Sequence, residues 1–272
     1  PLPVSALLKR HKLAPKDFVR AVFCAPDARR HREMAGKLGL DLAQVQEPMF
    51  GQVGDTGAAF SLILLAAALE NMKAGDKLLL ASYGSGADAF LLEGVKELKP
   101  WRAVKSYVES KKVIKDYKKY LGWRELVDMV TGRRRPETPT PSASAIWRER
   151  DKNIRLHGVK CRQCGTVQYP PQRVCVKCHA RDDFESYRFS DRRAKLFTYT
   201  LDCASPTPEP PVGLAVIDFE GGGRMWVYLT DKDEDEIEIG MPLEMSFRKL
   251  FTAEGVHNYY WKAVPVRVRE SG

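Results

Sequence analysis

The stretch CRQCGTVQYPPQRVCVKC, residues 161–178, restricts what this chain can fold into more than any other. Its two Cys-x-x-Cys pairs, Cys161/Cys164 and Cys175/Cys178, flank a turn carrying Pro170 and Pro171. Such a turn offers two thiolates to one metal with little backbone strain, and two of them complete a tetrahedral Zn²⁺ shell with sulfur at about 2.3 Å. Gly165, just after the first pair, tolerates the positive φ that other residues resist. Four thiolates leave no open coordination position, so the reading is a structural zinc, with a redox Cys-x-x-Cys as its rival. His179 is a nominal further donor, but its adjacency to Cys178 makes joint ligation awkward. A ribbon this small folds mainly on the energy the metal supplies.

The rest of the chain is not so small. With 272 residues, 44% apolar and 10% aromatic, it can bury a core as one large or two modest domains. The most apolar stretch, AAFSLILLAAALENM, is interrupted by Glu70 and Asn71 and falls short of a membrane span. PLPVSALLKRHKLAP has no apolar core followed by a cleavage site, so no secretory signal is read, and a soluble, cytoplasmic protein without a membrane partner is expected. The chain does not open on Met, and material upstream is expected. Six cysteines, four of them in knuckles, suit a reducing compartment, with Cys24 and Cys203 as free thiols. The formal charge of +9 is uneven: KSYVESKKVIKDYKKY at 105–120 and RRR at 133–135 stand against DKDEDEIE at 231–238. Runs of this kind ordinarily mean a solvated helix face or a linker, with polyanion binding as the alternative.

Periodicity organises the remainder. Residues 5–15 read as a helix, RAVFCAP as a short buried strand, DARRHREMAGKLGL as a helix stopping at Gly39, and SLILLAAALENMKAG as an apolar helix ending at Gly75. DKLLLASYGSG and DAFLLEGV read as further strands. Wholly apolar strands alternating with helices predict an α/β layer covered on both faces. An amphipathic helical tail is expected from about 100 to 131. GRRRPETPTPSASA is linker by composition. After a helical lead-in and the knuckles, KLFTYTL, GLAVIDF, GRMWVYLT, LEMSFRKL and YYWKAVPVRV predict five strands of a small barrel of the OB type.

These segments carry two resemblances. CRQCG, YPPQRVCVKC, FTYT, PPVGLAVIDFEGGGRMW and IGMPLEMSF resemble the acyl-CoA-associated zinc-ribbon/OB-fold family, in order and spacing, over about 147–268. VFCAP, GDTGAAF, ASYGSGADAF and VKSYVESKKVIKDYKKYLGW resemble the C-terminal half of archaeal hydroxymethylglutaryl-CoA synthase, a thiolase-fold condensing enzyme. The resemblance implies an α/β thiolase-like half domain with a basic helical tail at 1–131, a linker at 132–146, a zinc ribbon with lead-in helix at 147–182 and an all-β OB-fold barrel at 183–272. It places Cys24 at the family's histidine and Asp55 at its asparagine, the two candidate catalytic positions. A thiol is no two-nitrogen proton relay, and an ionised carboxylate repels an oxyanion. The family's N-terminal half, with its nucleophilic cysteine, has no counterpart here.

The implied function is a component of an acyl-CoA condensing or thiolytic enzyme, an acyltransferase complex in which the ribbon and barrel bind or position a coenzyme A thioester. Tyr83, Gly84, Ser85 and Gly86 would line the acyl-CoA pocket, with Lys111 and Lys112 on the CoA phosphates. The partner is a thiolase-fold polypeptide or the missing N-terminal half, in an oligomer. A non-catalytic scaffold bridging a partner thiolase is the alternative. Cys24 also reads as a small core residue and Asp55 as a helix cap. Single-stranded nucleic-acid binding through Phe197, Tyr199, Trp226 and Tyr228 is the remaining reading, disfavoured because these rings alternate as core residues do.

Overall fold

The computed structural model describes residues 2–97, 104–114, 116–127, 142–205, 211–253 and 255–267. They divide into two compact units, residues 1–111 and 112–272.

The first unit is built around a strand with no exposed face. β1 (Arg20–Phe23) buries Ala21, Val22 and Phe23 almost completely, as expected for a strand covered on both sides. It pairs in parallel with β2 (Lys77–Tyr83), which pairs antiparallel with β3 (Ala87–Glu93). α1 (Leu2–His11) and α2 (Ala28–Lys37) cover one face, where Val4 and Ala35 meet Ala21, Phe23 and Leu79. Asp27 caps α2 by accepting from the Arg30 amide at 2.8 Å. Gly39, at φ 70°, reverses the chain after it, a conformation that costs glycine little. α3 (Phe50–Val53) leads into α4 (Phe60–Leu69), which covers the other face through Phe60, Leu64 and Ala68 against Val22 and Leu78.

Two expectations shift here. α4 stops at Leu69, short of Gly75, because polar Glu70 and Asn71 end its apolar run and Asp76 accepts from the Lys73 amide to form a turn. Among its described residues the basic tail forms two short helices, α5 (Val104–Glu109) and α6 (Tyr117–Trp123). Asp116 caps α6 by accepting from Lys118, and an aspartate is better placed at a cap than inside one continuous helix.

The second unit begins with α6. Most of the expected linker, 132–141, lies outside the described residues, while its end is already helical in α7 (Ala143–Arg148), followed by α8 (Arg150–Asn153). β4 (His157–Cys161), β5 (Val167–Gln168) and β6 (Phe184–Arg188) form the ribbon sheet in the order β5-β4-β6. The expected five strands follow as β7 (Arg193–Asp202), β8 (Val212–Phe219), β9 (Arg224–Leu229), β10 (Pro242–Ala253) and β11 (Val256–Pro265). They close into a barrel in the order β10-β11-β9-β8-β7, with β9 and β11 parallel. This is the OB arrangement of a five-stranded Greek-key barrel.

Leu196, Ile217, Val227, Leu243 and Met245 point inward, each burial contributing about 1.5–3 kcal/mol. Ribbon and barrel share this core, since Leu156 and Phe189, both fully buried, join the same cluster. Gly158 allows the approach, because a Cβ there would stand 2.3 Å from the Gln168 carbonyl and 2.5 Å from the Phe189 ring.

Candidate functional site

The two knuckles are copies of one turn. In the first, the Gly165 amide donates to the Cys161 carbonyl at 2.9 Å, and in the second His179 donates to Cys175 at 3.1 Å. Gly165 and His179 hold the equivalent left-handed position, at φ 73° and 60°. His179 is thus a turn residue, and the four sulfurs are the donors the fold brings together. Cys161 and Cys178 approach to 3.6 Å, Cys164 and Cys175 to 3.5 Å, and all four sulfurs lie within 4.8 Å of one another. Sulfurs about 2.3 Å from a tetrahedral centre stand about 3.8 Å apart, so the set fits zinc. The Thr166 hydroxyl and then its amide lower the Cys164 thiol to about 6, which favours the thiolate a metal needs. Bound there, zinc would link the knuckles with no position left for substrate, a structural role.

In the first unit, Cys24 and the Tyr83–Gly86 hairpin tip share one end of the sheet. β1 runs parallel to β2 with Phe23 opposite Ala81, so Cys24 emerges at the end where β2 enters the Tyr83–Gly86 hairpin tip. Ser61 at the start of α4 donates to Ser82 at 3.2 Å and holds the preceding turn at that end. Within this layout the side chains do structural work. Half-buried Cys24 packs with Phe50 and Val53 against the α4 core, and the Asp55 carboxylate accepts from the Gly57 amide at 2.8 Å. Gly84 donates to the Gly86 carbonyl at 2.7 Å to close the tip, leaving Tyr83 and Ser85 exposed.

The two tail lysines already have partners. Lys111 donates to the Gln52 carbonyl at 3.0 Å. Lys112 binds the Asp233 carboxylate and the Lys232 carbonyl. The acidic run is partly neutralised internally, as Asp231 pairs with Arg248 at 2.6 Å.

The barrel aromatics correct the expectation that they fill the core. Met225, Val227 and Leu229 point inward from β9, while Trp226 is 56% exposed and Tyr228 shares its outward side. Phe197, 48% exposed, sits at a bulge in β7. Tyr199 donates to the Ile237 carbonyl. The period of two was legible, but with apolar residues on both faces it does not reveal which face is inside.

One group escaped the sequence reading altogether. His31, 3% exposed, stacks on Phe23 with ring centroids 4.5 Å apart and lines a cleft of about 440 Å³ with Leu42, Glu47 and Phe50. Burial lowers its pKa below the ordinary 6.5, opposed by its bond to the Phe23 backbone. Its Nε2 has no partner among the described residues.

Comparison with known proteins assigns the parts. Residues 8–92 match the model described as 3-oxoacyl-[acyl-carrier-protein] synthase III C terminal, residues 148–185 that of the ChsH2 rubredoxin-like zinc ribbon domain, and residues 187–248 that of the ChsH2 C-terminal OB-fold domain. A DUF35 domain-containing scaffold protein of Methanocaldococcus jannaschii is 31% identical over 125 residues, 44% of this chain and 88% of that protein. The hydroxymethylglutaryl-CoA synthase of Caldivirga maquilingensis is 35% identical over 127 residues, 44% of this chain and only 36% of the synthase. A solved Ltp2-ChsH2(DUF35) aldolase chain aligns at 25% identity over 47% of this chain and 98% of its own, with a TM-score of 0.36, too loose a likeness to bear weight. The first unit is therefore thiolase-like and is followed by a four-cysteine zinc ribbon and an OB-like barrel. The chain belongs to the DUF35 domain-containing family. Among the described residues, no helix is long and apolar enough to cross a membrane.

Proposed function

We propose that this chain is the scaffold and acyl-CoA-positioning component of a thiolase-type assembly that makes or breaks a carbon–carbon bond, with the nucleophilic cysteine on a thiolase-fold partner. The observation that carries this reading is the employment of Asp55 and Cys24. A carboxylate closing a turn onto Gly57 and a thiol packed against the core under α4 are committed to structure, and an ionised carboxylate has no proton to donate while a thiol donates only weakly to an oxyanion. The exposed hairpin tip at 83–86 lies at the end of the sheet where Cys24 emerges, a place suited to orienting a thioester. The ribbon, stiffened by its metal, fixes the barrel through the shared core at Leu156 and Phe189. The names of the scaffold and synthase relatives support the acyl-CoA setting.

The test is turnover by the natively isolated assembly carrying Cys24→Ala with Asp55→Ala. Activity within about threefold of wild type is expected. A loss of 10²-fold or more, the scale of a missing general acid or base, with the assembly still intact, would make this chain a catalytic partner and overturn the scaffold reading.

A further inference from the structure

The outward side of the barrel carries a combination that the core does not require. One row of side chains crosses it, with Thr200, Leu214, Tyr228, Lys262 and Ser246 in register on β7, β8, β9, β11 and β10. The adjacent row brings Trp226 beside Val216. The rings of Trp226 and Tyr228 meet edge to face at 5.3 Å, so the indole is braced while more than half exposed. Beyond it the Arg224 guanidinium lies 3.7 Å from the centre of the Phe197 ring and is held by both Asp218 oxygens at 2.6 and 2.8 Å.

Lys262 is the unusual member. It is half-buried, and among the described residues its ammonium makes no hydrogen bond or ion pair. The nearby carboxylate, Asp231, is already taken by Arg248. Burial lowers its pKa, nearby Arg248 lowers it further, and Asp231 opposes. A cation held this way is stabilised by an anion of fixed position. An apolar protein surface laid over the same face would bury the charge unpaired, at a cost of several kcal/mol. A flat ring system bearing phosphate satisfies both features, since bases stack on exposed aromatics with about 1–3 kcal/mol each.

We infer that this face binds an adenine nucleotide, with the base stacked on Trp226 against Tyr228 and a phosphate on Lys262. The assignment of that nucleotide to the end of coenzyme A rests on the acyl-CoA reading above, and the same chemistry is presented by adenylate in a single strand.

Calorimetric titration of the full chain with adenosine 3′,5′-bisphosphate, coenzyme A, a pantetheine thioester lacking the nucleotide, and oligo(dA) tests the inference. The bisphosphate and coenzyme A are expected to bind. Trp226→Ala and Lys262→Gln are each expected to weaken both about tenfold, the equivalent of about 1.4 kcal/mol, and the pantetheine thioester is expected to respond to neither. Unchanged thermal unfolding of each variant separates lost contact from lost structure. If coenzyme A binds the double variant as it binds wild type, the nucleotide site is overturned while the acyl-CoA reading survives. If neither coenzyme A nor the bisphosphate binds wild type, both fall. Tighter binding of oligo(dA) than of coenzyme A, lost in the same variants, would overturn the coenzyme as source.

Discussion

His31 shows how much one side chain can hold that its sequence context hides. In DARRHREMAGKLGL it reads as one more polar residue on a charged helix, yet it faces Phe23 and is almost fully buried. Because its folded pKa lies below 6.5, the unfolded chain takes up the proton first as pH falls through that value. Stability is complete above about pH 6.5 and is lost below it, at a limiting rate of about 1.4 kcal/mol per pH unit. Thermal unfolding of the full chain between pH 7 and 5 should therefore fall for wild type and flatten for His31→Gln. Equal slopes would show that His31 is not the titrating group. The cysteines, by contrast, were legible one by one, because metal ligation fixes residue type and spacing together. Trp226 and Tyr228 were found but assigned to the wrong face, since Leu214 and Val216 make the outer side nearly as apolar as the inner.

At the scale of elements, the ribbon depends on its metal more than on its core. Its own buried cluster is little more than Cys161, Cys175 and Ala180, far less apolar surface than a free-standing fold needs. Purified protein should contain one zinc per chain by elemental analysis, and Cys175→Ser should lose it along with amide protection over 157–188. Retention of that protection without metal would mean that packing against Phe189 alone holds the ribbon. The barrel strands were legible because Gly, Pro and Asp turns separate runs of β-formers. The break between α5 and α6 was not, because the pattern KSYVESKKVIKDYKKY keeps helical spacing while α5 ends at Glu109 and Asp116 starts a separate helix by accepting from the Lys118 amide.

At the scale of the whole molecule, α4 has an apolar side that the described residues leave open. Its ten residues FSLILLAAAL are apolar on every side, as in helices buried all round, yet Leu62 is 62% exposed. In the proposed assembly a thiolase-fold partner covers that side. Leu62→Glu should then leave unfolding of the isolated chain within about 0.5 kcal/mol while releasing the partner in native mass spectrometry. A complex that survives the substitution would place the contact elsewhere. The α/β order and the OB order were legible because each comes from a run of local patterns. What covers α4 was not, since a sequence records that a helix is apolar and not what lies against it. The barrel has its own junction of this kind. Its meander β7–β8–β9 and its hairpin β10–β11 can each form locally, but among the described residues their strand ladders meet over three residue pairs between β7 and β10 and two between β9 and β11. Closing those two short seams costs chain entropy that no local turn offsets, so they are the places where the barrel relies on its shared core and not on neighbouring strands joined by a short loop.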